Sequence, residues 1–207
     1  MNVYGLIRFY FFLKNKNAFV AVLIATFLLA GCATTPGGSS RQGEADISED
    51  DVALFQSAMI KIEKEDYQQG IALLNELTGR SRQSAVPFIN LAMAYKKQGD
   101  NDKAEENLLL ALEIEPKNPV ANNEYAILLR ESGRFDESRA LYEKVITWYP
   151  NFAMANRNLG VLCDIYLRDY SCALEAYRAY SALLPDDEDA RMWVSDLEWR
   201  VKQQGGG

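Results

Sequence analysis

The chain has 207 residues, of which 48% are hydrophobic and 25% charged, a formal net charge of −7, and no histidine. Without histidine, Ser-His and Cys-His nucleophile pairs and His-containing metal sites are excluded. The balance of 22 basic against 29 acidic side chains argues against nucleic acid as a partner, because that calls for clustered Lys and Arg.

Residues 1–31 read as a leader outside the fold. Arg8, Lys14 and Lys16 precede an uncharged, mostly apolar run from Ala18 to Ala30. That run falls short of the ~20 residues of a membrane-spanning helix and suits the core of a signal peptide. It closes with Leu29-Ala30-Gly31-Cys32, which resembles the bacterial lipoprotein signal. The resemblance implies cleavage before Cys32 and a lipid on its sulfur; the alternative is an ordinary signal peptide with a chance cysteine. Ala33, rather than Asp, follows Cys32. By the sorting of that family, this implies the outer membrane, facing the periplasm, in a cell with two membranes. Residues 32–48 are Gly, Ser, Thr, Pro and charge, a composition that cannot bury enough surface to fold and makes a flexible tether. Ser48-Glu49-Asp50-Asp51 then supplies a cap and an acidic first turn for a helix.

From residue 51 the chain repeats with a period of ~34 residues. The clearest unit spans 85–118 and carries Phe88, Leu91, Ala92, Tyr95, Gly99, Ala104, Leu108, Ala111 and Pro116. Spacings of three and four put Leu91 and Ala92 on one face of a first helix, and Ala104, Leu108 and Ala111 on one face of a second. Gly99 is expected to end the first helix in a left-handed conformation, and Pro116 to stop the second. The unit at 119–152 repeats the pattern with Tyr125, Ala126, Leu129, Gly133, Ser138, Tyr142, Val145 and Pro150. The unit at 51–84 is degenerate, with Leu54, Ala58, Gly70, Leu74 and Leu77, as a terminal repeat can be. These motifs resemble the tetratricopeptide (TPR) family. The resemblance implies an all-α, right-handed α-solenoid of four helix pairs plus a C-terminal capping helix, nine helices in a domain spanning 49–203.

The fourth unit, 153–187, holds Leu159 and Gly160, but Ala173, Tyr177, Tyr180 and Pro185 fit only if one extra residue lies near the helical turn. Cys163 and Cys172 flank that turn at similar distances, so they face each other, and an exported protein favours a disulfide between them. Two buried thiols are the alternative. A redox or carrier role is a weaker reading, because the pair is not a Cys-x-x-Cys motif. The cap at 188–203 puts Ala190, Trp193, Val194, Leu197 and Val201 on one helical face, and residues 204–207 form a tail.

No pattern points to catalysis. Asp186, Asp187, Glu188 and Asp189 stand at a helix start, where the dipole already favours them. No catalytic residue, metal or cofactor is expected, and the chain reads as a non-enzyme.

In the TPR family the first helix of each pair lines a concave groove. The ligand-facing positions of that helix carry over to Val52, Phe55 and Met59; Val86, Ile89, Met93 and Lys97; Asn123, Ile127 and Arg130; and Met154 and Arg157. Such an apolar stripe with adaptable methionines suits an amphipathic or apolar segment. Val120 and Val161 are as readily explained by burial against the neighbouring repeat. Asn90 and Asn158 are expected to bond backbone rather than ligand. Met192 and Trp199 lie opposite the buried face of the cap and form a possible second interface or homodimer contact, with a lone surface aromatic as the alternative. Across 51–185 the chain resembles the outer-membrane TPR lipoproteins, including the type IV pilus pilotin class. That implies a lipid-anchored periplasmic scaffold that holds an envelope protein and assists a pilus- or secretion-type complex. An adaptor that recruits peptidoglycan enzymes is the alternative on the same scaffold.

Overall fold

The computed structural model describes residues 48–80 and 82–204. The leader at 1–31, the tether as far as 47, the lipidation candidate Cys32 and the last three glycines lie outside the described residues. Among the described residues every regular element is helical, and none of the helices is long and apolar enough to cross a membrane. The elements are α1 (Glu49–Glu63), α2 (Tyr67–Arg80), α3 (Ala85–Gln98), α4 (Asn101–Ile114), α5 (Pro119–Glu131), α6 (Phe135–Trp148), α7 (Ala153–Val161), α8 (Tyr170–Leu183) and α9 (Glu188–Gln204).

Short polar signals start these helices. Ser48 Oγ accepts from the Asp51 amide at 3.1 Å, Asp100 Oδ1 from Lys103 at 3.1 Å, and Asp169 Oδ1 from Cys172 at 3.1 Å. Asn118 Oδ1 accepts from both Val120 and Ala121 at 3.0 Å, with Pro119 in the first turn, where a missing amide costs nothing. At the other ends, Gly99 and Gly133 follow α3 and α5 with φ of 82° and 78°, a left-handed conformation that side chains with a β-carbon resist. Helices α4, α6 and α8 end at Ile114, Trp148 and Leu183, just before Pro116, Pro150 and Pro185.

Each helix packs on its neighbour in sequence, giving four helix pairs in an α-solenoid, with α9 docked on α8. Where the two helices of a pair meet, the contact is built from small residues. Ala58, Ala104, Ala126, Ser138 and Ala173 are fully buried, and Ser138 Oγ donates to the Ala126 carbonyl at 2.7 Å, joining α6 to α5. Gly70 fills the same role in the first pair, where a β-carbon would stand 2.5 Å from Ile62 Cγ1. Leu74, Leu91, Leu108, Tyr142 and Leu197 then fill around these contacts.

The fourth pair departs from the others inside its first helix. The extra residue expected near the turn is absorbed earlier, because α7 continues directly into a π-helix over Leu162–Leu167. Arg168 leaves it at φ 53°, and the Asp169 amide closes on the Cys163 carbonyl at 2.9 Å. A single added residue in a helix that must keep its packing face is accommodated by widening one turn. The helix α9 caps the array by burying Ala190 and Leu197, with Trp193, Val194 and Val201 packed against the fourth pair's core.

Candidate functional site

The first helices α3, α5 and α7 touch their counterparts in the next repeat, α3 with α5 and α5 with α7, so one side of the array is a continuous surface of first helices. The predicted groove residues divide there into two groups. Val52 and Met154 are exposed, at 37% and 36% of their surfaces, and Lys97 is also exposed. Phe55, Met59, Met93, Ile127, Arg130 and Arg157 are half-buried, which leaves part of each reachable.

Val86, Ile89 and Asn123 do not belong to the open surface. They are 9%, 4% and 4% exposed. Ile89 packs with Ala111 of α4 and Ala121 of α5, beneath the face that the family register assigns to it. Asn123 is held across the repeat boundary, where its Oδ1 accepts from Asn158 Nδ2 at 2.9 Å. Asn90 does bond backbone, donating to the Val86 carbonyl at 2.8 Å, but Asn158 joins two repeats instead. Val120 and Val161 are half-buried.

Charge is organised along the same side. Lys96 Nζ lies 3.6 Å from Glu124 and 3.8 Å from Glu131, bridging α3 to α5. Burial pushes the Glu124 carboxyl above its ordinary range, and Lys96 works in the opposite direction. Arg130 sits over the Tyr166 ring at 5.4 Å and Arg157 over the Trp193 ring at 5.5 Å. Asp164 is engaged by Arg200 at 3.4 Å. Sequence reading missed Glu124, Tyr166 and Trp193 as parts of this surface. Each is a cross-repeat partner, and the available signal was its register beside the ligand-facing positions.

Cys163 and Cys172 are joined as a disulfide with their Cα atoms 5.8 Å apart, and Cys163 is fully buried. The bond ties the π-helix to the first turn of α8. Met192 and Trp199 are 61% and 63% exposed on α9. A cleft of about 350 Å³ lies between α6, α7 and α8, with Arg139, Glu143, Asn156 and Glu175 among its lining. It is shallow and gathers no set of side chains with a chemical task. Among the described residues no group of His, Cys, Asp or Glu is placed to hold a metal ion.

Residues 87–118 and 120–152 match the tetratricopeptide repeat family model. No curated protein is significantly similar in sequence. Among solved structures, the chain is similar to the pilF protein of Pseudomonas aeruginosa, at 20% identity and a TM-score of 0.67 over 77% of this chain and 78% of that one. MamA of Desulfovibrio magneticus RS-1 is similar at 15% identity and a TM-score of 0.63 over 75% of this chain and 88% of that one. YrrB, described as a TPR protein with an unusual peptide-binding site, is similar at 21% identity and a TM-score of 0.58 over 69% of this chain and 73% of that one. At such identities the likeness establishes the fold. Two tetratricopeptide repeats, at 87–118 and 120–152, lie within that fold.

Proposed function

We propose that this chain is a lipid-anchored, non-enzymatic scaffold at the outer membrane of a bacterium, facing the periplasm. Its first-helix surface holds an apolar or amphipathic segment of an envelope protein and assists assembly of a pilus- or secretion-type complex. The observation that carries the reading is the reachable apolar stripe from Val52 through Phe55, Met59, Met93 and Ile127 to Met154, on the side where successive first helices meet. Reachable apolar side chains aligned along one face of the array are best explained by a partner that covers them. The similarity to the pilF fold and the lipoprotein-like Leu29-Ala30-Gly31-Cys32 support the setting.

The test is a crosslinked pull-down from intact cells, comparing the wild type with Val52→Glu/Met154→Glu. Both side chains are exposed, so the charge perturbs the surface and not the packing. Capture of a secretin or pilus subunit, lost in the variant, is the expected result. Capture of cell-wall hydrolases or synthases instead would reassign the scaffold to peptidoglycan enzymes. The anchor is tested separately: Cys32→Ala is expected to abolish lipoprotein processing and membrane retention, and a variant still processed and retained would refute it.

A further inference from the structure

Most arginines in the array are committed to internal ion pairs. Arg80, Arg134, Arg139, Arg178, Arg191 and Arg200 each hold a carboxylate of a nearby turn or helix. Arg130 on α5 and Arg157 on α7 differ. Each is half-buried on the first-helix surface and set over an aromatic ring, and among the described residues neither has a carboxylate at ion-pair distance. The Nε of Arg130 is buried without a hydrogen-bond partner.

Arg130 and Arg157 stand on α5 and α7, which touch, and the Tyr177 ring, against Gly160 of α7, packs at 5.1 Å between centroids on the Trp193 ring beneath Arg157. Asp164 and Asp187 are already engaged. Asp164 pairs with Arg200 at 3.4 Å, and Asp187 accepts from Tyr180 Oη at 2.7 Å and from the Ala190 amide at 3.1 Å. A ring beneath a guanidinium fixes its position and leaves its N–H edges free to donate. That planar fork matches the two oxygens of a carboxylate. Partial burial strengthens such a contact, because the intervening medium screens it less than water does.

We propose that Arg130 and Arg157 form a carboxylate-recognition subsite at the C-terminal end of the first-helix surface. It takes an Asp or Glu side chain of the bound segment, whose apolar residues lie along Ile127, Met154 and Val161. This rests on the reading of that surface as a peptide-binding face and adds the acidic residue the peptide must carry. Selectivity follows from the setting: a chain of net charge −7 repels acidic segments in general, so only one that places its carboxylate at the pair is retained.

The experiment uses the full-length protein in detergent and an array of synthetic amphipathic peptides. Each peptide is present in an Asp form, an Asn form and a phosphoserine form that are otherwise identical. For peptides retained by the wild type, the Asp form is expected to bind about tenfold more tightly than the Asn form, as for a charge-assisted hydrogen bond. That preference is expected to fall below about twofold in Arg130→Gln and in Arg157→Gln. Arg157→Lys, which keeps the charge and loses the fork, is expected to retain only a small part of it. Circular dichroism of each variant separates loss of the subsite from loss of the fold. Equal binding of Asp and Asn forms by the wild type would overturn the subsite and leave the peptide-binding reading standing. A preference that survives in both Gln variants would do the same. Tighter binding of phosphoserine with no Asp preference would reassign the pair to phosphate and refute the carboxylate. Failure of every peptide to bind would overturn the subsite and the peptide-binding reading together.

Discussion

The ring of Tyr177 lies directly on the α-carbon of Gly160, leaving no room for a β-carbon between α7 and α8. The neighbouring atoms are a rigid ring, itself set against Trp193 at 5.1 Å between centroids. Gly160→Ala must therefore push α8 outward or force Tyr177 off its rotamer. The expected loss is about 1–3 kcal/mol in chemical denaturation. The control is Gly79→Ala near the end of α2, where a β-carbon meets nothing within 4 Å. That change is expected to be neutral or to stabilise by up to about 1 kcal/mol.

The disulfide and the π-helix share the same segment. Cys163 lies within Leu162–Leu167 and its partner begins α8, so the bond closes the loop that carries the extra residue. In the chain-entropy account, a crosslink over so short a loop stabilises by about 2.5–3 kcal/mol. Cys163→Ala/Cys172→Ser is expected to lower stability by that order. Amide exchange should rise most across Leu162–Leu167, where the fold is held by the crosslink, and least in the second and third repeats. Uniform loss of protection along the array would show that the bond does not act locally.

The regular parts of this architecture were legible in the sequence because each repeat encodes its own internal contacts. Ala92 against Ala104, and Ala126 against Ser138, are set by spacing within one unit, and so are Gly99 and Gly133 at the turns. Contacts between units were not legible in the same way. Asn123 and Asn158 occupy neighbouring repeats, and nothing in either unit alone says that they bond to each other. The burial of Val86 and Ile89 likewise depends on how far α5 leans over α3. The surplus residue of the fourth unit was countable. Whether a loop or a helix absorbs it is decided by packing, which here holds Leu162 and Cys163 in the core and widens the helix.

Buried phenols, Tyr177 and Tyr180 among them, set an alkaline limit to stability. Burial, then Asp164, pushes Tyr177 from 10.0 to about 12, and burial followed by the hydrogen bond to Asp187 pushes Tyr180 from 10.0 to about 12. Both pKa values are raised in the folded chain, so the stability they contribute is complete below the unfolded value near 10. It is lost as pH rises through the folded values near 12, because the unfolded chain releases these protons first. Midpoints of thermal unfolding are expected to fall most steeply between about pH 10 and 12, and less steeply in Tyr180→Phe. The same substitution removes the largest influence lowering Asp187. Its carboxyl is therefore expected to titrate at higher pH, which carbon-detected NMR would read directly.

Lys96 and Glu124 form the most enclosed ion pair on the first-helix surface, with 22% and 16% of their side chains exposed. Burial raises the Glu124 pKa and Lys96 restrains that rise, so the lysine holds a charge that its surroundings disfavour. A carboxyl with a raised folded pKa favours the fold when protonated, and it loses that contribution as pH climbs through the raised value. Lys96→Met removes the restraint and leaves an uncompensated carboxylate between α3 and α5. The expected cost at neutral pH is roughly 1–3 kcal/mol, the penalty of a buried polar group left unpaired. The cost should vanish near pH 4, where Glu124 takes up a proton in both proteins. Adding Glu124→Gln should restore most of the loss at neutral pH, because an amide carries no charge to compensate. A penalty that persists unchanged at low pH, or in the double variant, would mean that Lys96 contributes through its methylene packing and not through the pair.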